Sequence, residues 1–296
     1  MDLHYLKLFN IFSEELSFSR TANALYISQP AVSMQIKKLE KDLGLKLFDR
    51  KGKNIVLNDN GILLKEYTKK IFYLIEEAEY RLTNQSGKLK GRLNVAASNT
   101  PGTYILPSII GKFKEQHPLV DVNLHIGNTH EVEKLVLDNK VDFAVNGGDI
   151  PYSKQVYSEA LSYDDIIIVA SPNNKIFNNS IINPCHLVNC TLISHEKNSQ
   201  LYKAAELVMH ELGLPLTVSM AFGSIDAIKQ AVIANLGISV IPKSSITLEL
   251  KYNLIKEIKF DGKHWNYPYN LIYHKNRHIS PSCEKLMDMV RAAMKN

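Results

Sequence analysis

Residues 17–50 read SFSRTANALYISQPAVSMQIKKLEKDLGLKLFDR, and this stretch decides the fold of the N-terminal part of the chain. Ser17 or Ser19 is suited to cap a short helix, and Ser28 is suited to cap the next one, with Pro30 in its first turn. The apolar residues of that next helix recur at helical spacing: Val32, Ile36, Leu39 and Leu43. Two capped helices joined by a brief break predict a helix-turn-helix.

The flanking sequence completes a small domain. An earlier helix is predicted by apolar residues at near-helical spacing: Leu3, Leu6, Phe9, Ile11 and Phe12. Residues 45–57 hold two short apolar segments around a basic tip and predict a β-hairpin with a Gly-Lys turn.

The exposed face predicted for helix 29–43 carries polar and basic side chains. Gln29 suits adenine and Ser33 suits a base or a phosphate. Met34 suits a thymine methyl group, and Lys37 suits guanine or a phosphate. Such a face fits the DNA major groove, although many three-helix cores show a similar pattern without binding DNA.

Charge is concentrated in the same segment. Of the formal net charge of +5, residues 28–53 carry +4, whereas residues 91–296 carry +1. Arg50 and Lys53, at the hairpin tip, suit phosphates or the minor groove. A local basic patch on a nearly neutral body favours a polyanion-binding module; a merely solvated surface is the alternative.

Length and composition limit the remaining possibilities. The 296 residues suit about two domains of roughly 100–200 residues each. No apolar run approaches the roughly 20 residues of a membrane span, and the first residues lack a signal-peptide pattern, so we expect a cytoplasmic protein. Cys185, Cys190 and Cys283 are scattered, which favours ordinary reduced thiols over disulfides or a metal site.

A long helix is predicted over residues 60–86. Its apolar residues alternate steps of three and four, as in a heptad seam: Leu64, Tyr67, Ile71, Leu74 and Ala78. This seam predicts pairing with another helix, and packing on its own domain is the alternative. Residues 86–91 are predicted to be a hinge-like linker.

From Arg92 onward, strand and helix patterns alternate, which predicts a mostly parallel α/β sheet. The predicted strands are residues 93–97, 120–126, 143–145, 166–170, 191–194, 218–222, 238–241 and 271–273. The predicted helices are residues 104–116, 130–139, 199–212, 225–235 and 282–294.

Residues 1–61 resemble the N-terminal domain of LysR-type transcriptional regulators. The motifs that carry the resemblance are residues 17–25, 27–33, 35–40, 43–50 and 57–61. The resemblance implies a multi-domain α/β protein with a winged helix-turn-helix, a dimerising linker helix and a two-lobed effector domain like periplasmic binding proteins. The implied boundaries are 1–58, 59–88 and 89–296, with lobe 1 at about 89–162 plus 267–296 and lobe 2 at about 163–266.

The resemblance also implies partners and DNA-binding residues. The partners are double-stranded DNA with pseudo-palindromic sites, RNA polymerase for an activator, and further copies of the chain in a homodimer or homotetramer. Met34 departs from the polar or basic residue common in the family, and Thr21 replaces a common alanine and would bond a phosphate or its own helix. The expected DNA-binding residues are Arg20, Thr21, Ser28, Gln29, Pro30, Ser33, Met34, Lys37, Arg50 and Lys53.

An effector cleft is expected where predicted strands end and helices begin. The candidate residues combine hydroxyls, amides and backbone N–H groups, which hold small anions by dipoles: Ser98, Asn99, Thr100, Asn128, Thr129, Asn146, Gly147, Ser194, His195 and Ser224. Plain helix capping is the alternative for each. The segment at 195–202 lacks the arginines common in the family, which disfavours a clamped dicarboxylate.

We therefore expect a small anion or polar metabolite as co-inducer, with no resident cofactor or metal. The first predicted strand and residues 127–129 most resemble regulators of sulfur assimilation, cysteine metabolism and carbon fixation. Two other functions were weighed: a cytoplasmic α/β enzyme with an accessory helical domain, and a solute-binding protein. The sequence has no Gly-x-Ser-x-Gly, Walker, Gly-x-Gly-x-x-Gly or His-Glu-x-x-His motif for an enzyme, and no signal peptide for a solute-binding protein.

Overall fold

A computed structural model describes residues 2–52, 54–82, 89–177 and 183–295. It divides into two compact units, unit 1 (Met1–Gly87) and unit 2 (Lys88–Asn296). Lys53 and the beginning of the predicted hinge, residues 86–88, lie outside the described residues.

Unit 1 consists of helices and one hairpin. In chain order its elements are α1 (Leu3–Glu15), α2 (Phe18–Leu25), α3 (Gln29–Leu43), β1 (Phe48–Lys51), β2 (Asn54–Leu57) and α4 (Asp59–Leu82). Ser17 rather than Ser19 caps α2, by accepting the N–H of Arg20. Ser28 caps α3, and Asn58 accepts the N–H of Gly61 at the start of α4.

The core of unit 1 lies between α1, α2, α3 and the hairpin. Phe9 and Phe12 are fully buried and both contact Phe48 of β1. Glu40 of α3 is also buried, and its carboxylate accepts the backbone N–H of Leu47 at 2.9 Å. This bond fixes the hairpin against the end of α3, because a buried carboxylate needs the donor.

The seam of α4 is divided between two roles. Leu64 and Ile71 pack against the core of unit 1, as the own-domain alternative predicts. Tyr67 and Leu74 are more than half exposed, and Ala78 is exposed. The exposed part leaves an apolar surface that unit 1 itself does not cover.

Unit 2 alternates strands and helices around one sheet. Its strands are β3 (Gly91–Ser98), β4 (Val120–Gly127), β5 (Phe143–Gly147), β6 (Val156–Ala170), β7 (Leu192–His195), β8 (Val218–Phe222), β9 (Ile238–Pro242), β10 (Lys256–Ile258) and β11 (Trp265–His274). Its α-helices are α5 (Leu106–Gln116), α6 (Thr129–Leu137), α7 (Gln200–Glu211), α8 (Ile225–Ile233), α9 (Thr247–Lys251) and α10 (Pro281–Met294). In the described residues, the strand order is β4-β3-β5-β11-β6-β9-β7-β8, with β10 paired to β6.

The prediction of a mostly parallel sheet is wrong, because the sheet is mixed. β6 and β11 are long strands that pair antiparallel with each other, and they also pair antiparallel with β9 and β5. The predicted strands covered only the parts with a dense apolar pattern, 166–170 and 271–273, so their full lengths were missed.

These two strands run from one lobe to the other. A buried apolar core in lobe 1 includes Val132 and Val156, and a separate core in lobe 2 includes Ile167 and Ile228. β6 contributes to both cores, and the β6–β11 register shifts between Tyr269 and Asn270. Within the described parts of the chain we find no helix with the length and apolar composition that a membrane crossing requires.

Candidate functional site

Helix α3 presents the exposed face that the sequence predicted. Gln29, Pro30 and Lys37 are exposed, and Ser33 is partly buried. Met34 is 66% exposed although it is apolar, so its thioether is available to a partner in the middle of this face. The opposite face of α3 is buried in the core of unit 1.

The structure corrects one residue of the predicted interface and qualifies another. Thr21 is fully buried in α2, and its hydroxyl has no hydrogen-bond partner among the described residues, so it does not reach a phosphate outside the domain. Arg20 is exposed, but its guanidinium pairs with Glu15 at 3.0 Å. An Arg20–phosphate contact would have to compete with that ion pair.

Two further predicted contacts flank α3. Arg50 is exposed on β1, next to the hairpin tip. Ser28 is exposed, and its hydroxyl accepts the N–H of Ala31 while capping α3. Lys38, on the same helix, lies 5.1 Å from the centre of the Tyr5 ring and is held over its face.

In lobe 1 of unit 2, four predicted residues form one hydrogen-bonded cluster. The Ser98 hydroxyl accepts the N–H of Gly147 at 2.8 Å, and the Thr129 hydroxyl donates to the Gly147 carbonyl at 3.4 Å. The Asn146 amide donates to the Thr129 carbonyl at 3.1 Å. All four lie at the carboxyl ends of the parallel strands β3 and β5 or at the start of α6, where ligands of α/β sheets bind.

One polar atom of this cluster lacks a partner. The Asn146 side-chain oxygen is buried, and no described residue donates to it. An unsatisfied buried acceptor costs free energy, of the order of 1–3 kcal/mol. A ligand or water with a donor group would remove that cost.

Lobe 2 places its predicted residues at the corresponding strand ends. Ser194 and His195 are buried at the end of β7, and Ser224 is exposed before α8. Burial lowers the pKa of the His195 imidazole below its ordinary value, although Glu196 acts in the opposite direction. His195 is therefore a neutral buried histidine rather than the surface histidine that is commoner.

Helix capping, the alternative for each polar residue, applies to some and not to others. The Asn128 side chain accepts the N–H of Glu131 and is committed to capping α6. Thr100 is buried before an irregular π-type turn (Pro101–Ile105), and its hydroxyl caps no backbone N–H. Ser224 likewise makes no capping hydrogen bond. Asn99 is partly buried beside Thr100.

The two lobes meet at contacts that the sequence analysis did not single out. A Cβ added to Gly148, after β5, would lie 2.7 Å from the Cβ of Gln200, the first residue of α7. Glycine at this position therefore lets the lobes approach closely. Gln200 is buried, and its amide nitrogen has no partner among the described residues.

A polar bridge joins the lobes at a second place. Tyr104, in the π-type turn, donates to Asp226 of α8 at 2.8 Å. Lys229 lies 3.0 Å from the Asp226 carboxylate and 2.9 Å from that of Glu249, and its ammonium lies 4.7 Å from the centre of the Tyr104 ring. The i,i+3 spacing of Asp226 and Lys229 predicts their own pairing, but nothing local indicates Tyr104.

Electrostatics keep this bridge charged. Burial alone would lower the pKa of Lys229, but its hydrogen bonds to Glu249 and Asp226 outweigh burial and raise that pKa above its ordinary value. The hydrogen bond from Lys229 lowers the pKa of Asp226. Burial and the bond to Asp226 raise the pKa of Tyr104 to about 12, so the phenol stays protonated and remains a donor.

Cysteines and metals play no part in the described site. Cys185 is exposed, Cys190 is partly buried and Cys283 is buried, and all three are free thiols. Burial raises the pKa of the Cys190 and Cys283 thiols, which disfavours the reactive thiolate. Among the described residues, no three His, Cys, Asp or Glu side chains are grouped so that they would hold a metal ion.

The two units together define a class of protein. Unit 1 is a winged helix-turn-helix with a polar and basic recognition face, and unit 2 is a two-lobed α/β fold with polar strand ends at its cleft. That combination is typical of a DNA-binding regulator with a sensory domain.

Comparison with known proteins identifies the family. A family model described as "Bacterial regulatory helix-turn-helix protein, lysR family" matches residues 3–62, and one described as "LysR substrate binding domain" matches residues 86–295. The chain belongs to the LysR family of DNA-binding transcriptional regulators, which are not enzymes.

Similar curated proteins carry one shared name, "Probable RuBisCO transcriptional regulator". The protein from Cyanidium caldarium is 31% identical over 287 residues, covering 95% of this chain and 90% of the relative. The protein from Synechocystis sp. is 34% identical over 258 residues, covering 86% of this chain and 75% of the relative.

Solved structures share the fold. Full-length OxyR from Pseudomonas aeruginosa has a TM-score of 0.72 at 19% identity and covers all of this chain and 95% of its own. CbnR complexed with its target DNA has a TM-score of 0.60 at 20% identity, covering 99% of this chain and 100% of its own. The CcmR regulatory domain from Synechocystis, in complex with 2-PG, has a TM-score of 0.63 at 22% identity, covering 70% of this chain and 99% of its own.

Proposed function

We propose that this regulator reads pseudo-palindromic operator DNA with α3 and the hairpin, and that a small polar or anionic metabolite bound between the lobes of unit 2 switches its activity. The observation that carries the effector part is the cluster of Ser98, Thr129, Asn146 and Gly147, with its unpartnered buried oxygen on Asn146. Thr100 and Ser224 add hydroxyls that are not used in capping.

The charges around the cleft define the ligand class. Residues 98–100, 128–129 and 146–148 contain no lysine or arginine. Lys229, at the junction of the lobes, is already paired with two carboxylates. We infer that the ligand is held by hydroxyls, amides and backbone N–H groups, which suits a small ligand of low charge better than a dicarboxylate.

The DNA part of the proposal rests on the exposed face of α3. Gln29, Ser33 and Met34 would contact base edges, and Lys37 and Arg50 would contact phosphates or bases. Ser28, Pro30, Arg20 and Lys53 remain proposed contacts at the rim of this surface, whereas Thr21 is withdrawn because it is buried.

Assembly is proposed from the apolar surface of α4. Exposed Tyr67, Leu74 and Ala78 would pair with the same residues of a second copy, and pairing through unit 2 would give a tetramer. A dimer would place two copies of α3 about one helical turn apart on a pseudo-palindrome. Such a regulator would act in the cytoplasm, with RNA polymerase as a partner for activation.

The relatives suggest which genes to examine first. Proteins about 31–34% identical to this chain are named probable RuBisCO regulators, so we propose carbon-assimilation promoters, together with the promoter adjoining the chain's own gene, as targets. Gel shifts with these duplexes test the DNA part. Binding that is no tighter than to a scrambled duplex of equal length would contradict it.

Thermal shift of the full-length protein tests the effector part, using a panel of oxyanions, small carboxylic acids and phosphorylated acids. A binding compound raises the melting temperature of unit 2, because it binds the folded state alone. The same compound must change reporter expression in cells. A panel member that stabilises the wild type and a Thr100→Val variant equally would contradict the proposed placement.

A further inference from the structure

Tyr26 has a backbone conformation that aromatic residues rarely adopt. It ends α2 at φ 55° and ψ 39°, in the left-handed region, where the Cβ of an L-residue crowds the following carbonyl oxygen. Its N–H donates to the carbonyls of Ala22 and Asn23, so the backbone alone closes the turn. Glycine or asparagine is the usual residue at such a helix end.

Packing does not explain this residue. Of the residues that the structure describes, the other non-glycine residues with positive φ are Leu16 and three asparagines, Asn139, Asn235 and Asn253. Asparagine tolerates this conformation, and Leu16 is partly buried, so contacts offset its strain. Tyr26 is 96% exposed, so it has neither compensation. Strain without a packing benefit points to function.

The location of Tyr26 indicates which function. It stands two residues before Ser28, the cap of the recognition helix α3, whose first residues are proposed to face base edges. The turn that precedes such a helix lies at the rim of the major groove, where the phosphates run. A tyrosine offers a hydroxyl donor for a phosphate oxygen and a flat ring for a sugar.

We propose that Tyr26 is a DNA-backbone contact, whose hydroxyl donates to a phosphate oxygen while its ring packs on the adjoining deoxyribose. This inference rests on the DNA-binding role of unit 1. Tyr26 is thus a positioning residue: it fixes the register of Gln29 and Met34 on the duplex and does not itself distinguish one base from another.

Two variants of the full-length chain test the inference against a duplex from the promoter adjoining its own gene, by fluorescence anisotropy at several salt concentrations. Tyr26→Gly removes the side chain and relieves the left-handed strain, so we expect a melting temperature no lower than that of the wild type. We expect its affinity to fall about tenfold per half-site, since a hydrogen bond to a charged group is lost.

Tyr26→Phe retains the ring and lacks the hydroxyl. We expect part of the same loss in affinity, with an unchanged salt slope because the phenol carries no charge. Tyr163→Phe, which alters an exposed tyrosine of unit 2, is the matched control and should bind like the wild type. The loss should be similar for every binding sequence tested.

Three results would overturn the inference. One is an affinity of Tyr26→Gly within about twofold of the wild type. Another is a loss that appears only when one particular base pair is present, which would mean base recognition. The third is a lowered melting temperature in both variants, which would mean that the tyrosine is structural. Failure of the wild type itself to bind any promoter duplex would instead contradict the proposed operator recognition.

Discussion

Tyr104 and Asp226 are 122 positions apart in the chain, yet their side chains form a 2.8 Å hydrogen bond between the lobes of unit 2. Tyr104 lies in the π-type turn that directly follows Ser98, Asn99 and Thr100. Asp226 lies in the first turn of α8, just after Ser224. The bond therefore connects two proposed effector segments, and a ligand that moves either one would act on this bond.

Tyr104→Phe removes only the hydroxyl that crosses the cleft. Because Asp226 retains its ion pair with Lys229, we expect a modest loss of about 1 kcal/mol in the free energy of unfolding of unit 2. We also expect wider lobe separation without ligand, since the bond favours the closed arrangement. Urea unfolding and the distance between spin labels on the two lobes measure these effects.

Tyr163→Phe, at a 66% exposed tyrosine, is the control for that experiment. It should change neither unfolding nor lobe distance. Equal behaviour of the two variants would show that the hydrogen bond between Tyr104 and Asp226 does not contribute to lobe closure.

Thr100→Val tests the effector site without disturbing a helix cap. Thr100 is 3% exposed and its hydroxyl caps nothing, so an isosteric valine should preserve the fold. We expect the effector response in a reporter assay to be abolished, with operator affinity nearly unchanged. Asn128→Ala is the contrast, because it removes a capping bond and should destabilise unit 2 by about 1 kcal/mol. An unchanged effector response in Thr100→Val would reject this placement.

The stability of unit 2 should depend on pH through His195. Burial lowers the folded-state pKa of His195 below 6.5, so the unfolded state binds more protons as the solution is acidified. Stability should therefore be full above about pH 6.5 and decline as pH falls from there to the folded-state pKa. Burial also lowers the pKa of His117, which adds to the same decline.

The variant His195→Gln isolates the first contribution. Chemical unfolding between pH 8 and pH 5 should show a shallower decline than the wild type, and His117→Gln should remove its own share independently. A decline of identical steepness in His195→Gln and the wild type would exclude His195 as a source of the pH dependence.

Local signals in the sequence predicted the local parts of the fold. Ser28 as a cap, Pro30 in the first turn and Gly44 at the end of α3 are all in place, because capping depends on the few residues around a helix end. The apolar stripe of α3 likewise follows from helical spacing alone. The segment at residues 256–258 forms a short strand that carried no such pattern and was missed.

The rest depends on contacts between residues distant in the chain. Antiparallel pairing of β6 and β11 joins strands about a hundred residues apart, and alternating patterns alone do not give their direction. Thr21 was predicted to face a phosphate, but the packing of α1, α2 and α3 buries it. The approach of Gln200 to Gly148 depends on how the lobes close, which no single segment encodes.

Arg50→Ala should weaken binding to all DNA sequences by a similar factor. Arg50 is exposed on β1, beside the hairpin tip, and its charge would displace counterions from the phosphates. We expect the slope of log affinity against log salt to fall by about one for each Arg50–phosphate contact. Lys203→Ala, at an exposed lysine of α7 in unit 2, should leave the slope unchanged. A loss confined to one operator sequence would show that Arg50 reads a base.

Met34 gives the most specific prediction for sequence recognition. It is 66% exposed in the middle of the α3 face, and an apolar thioether gains nothing from a phosphate or from a polar base edge. The thymine methyl group is the apolar feature of the major groove, so we expect Met34 to contact it. Replacing operator thymines one at a time by uracil removes only that methyl, and one position in each half-site should lose about 1 kcal/mol in binding free energy. The Met34→Ala variant should bind the thymine and uracil duplexes equally well. If the wild type itself tolerates uracil at every position, Met34 does not read a methyl group, and the specificity of α3 must come from Gln29, Ser33 and Lys37.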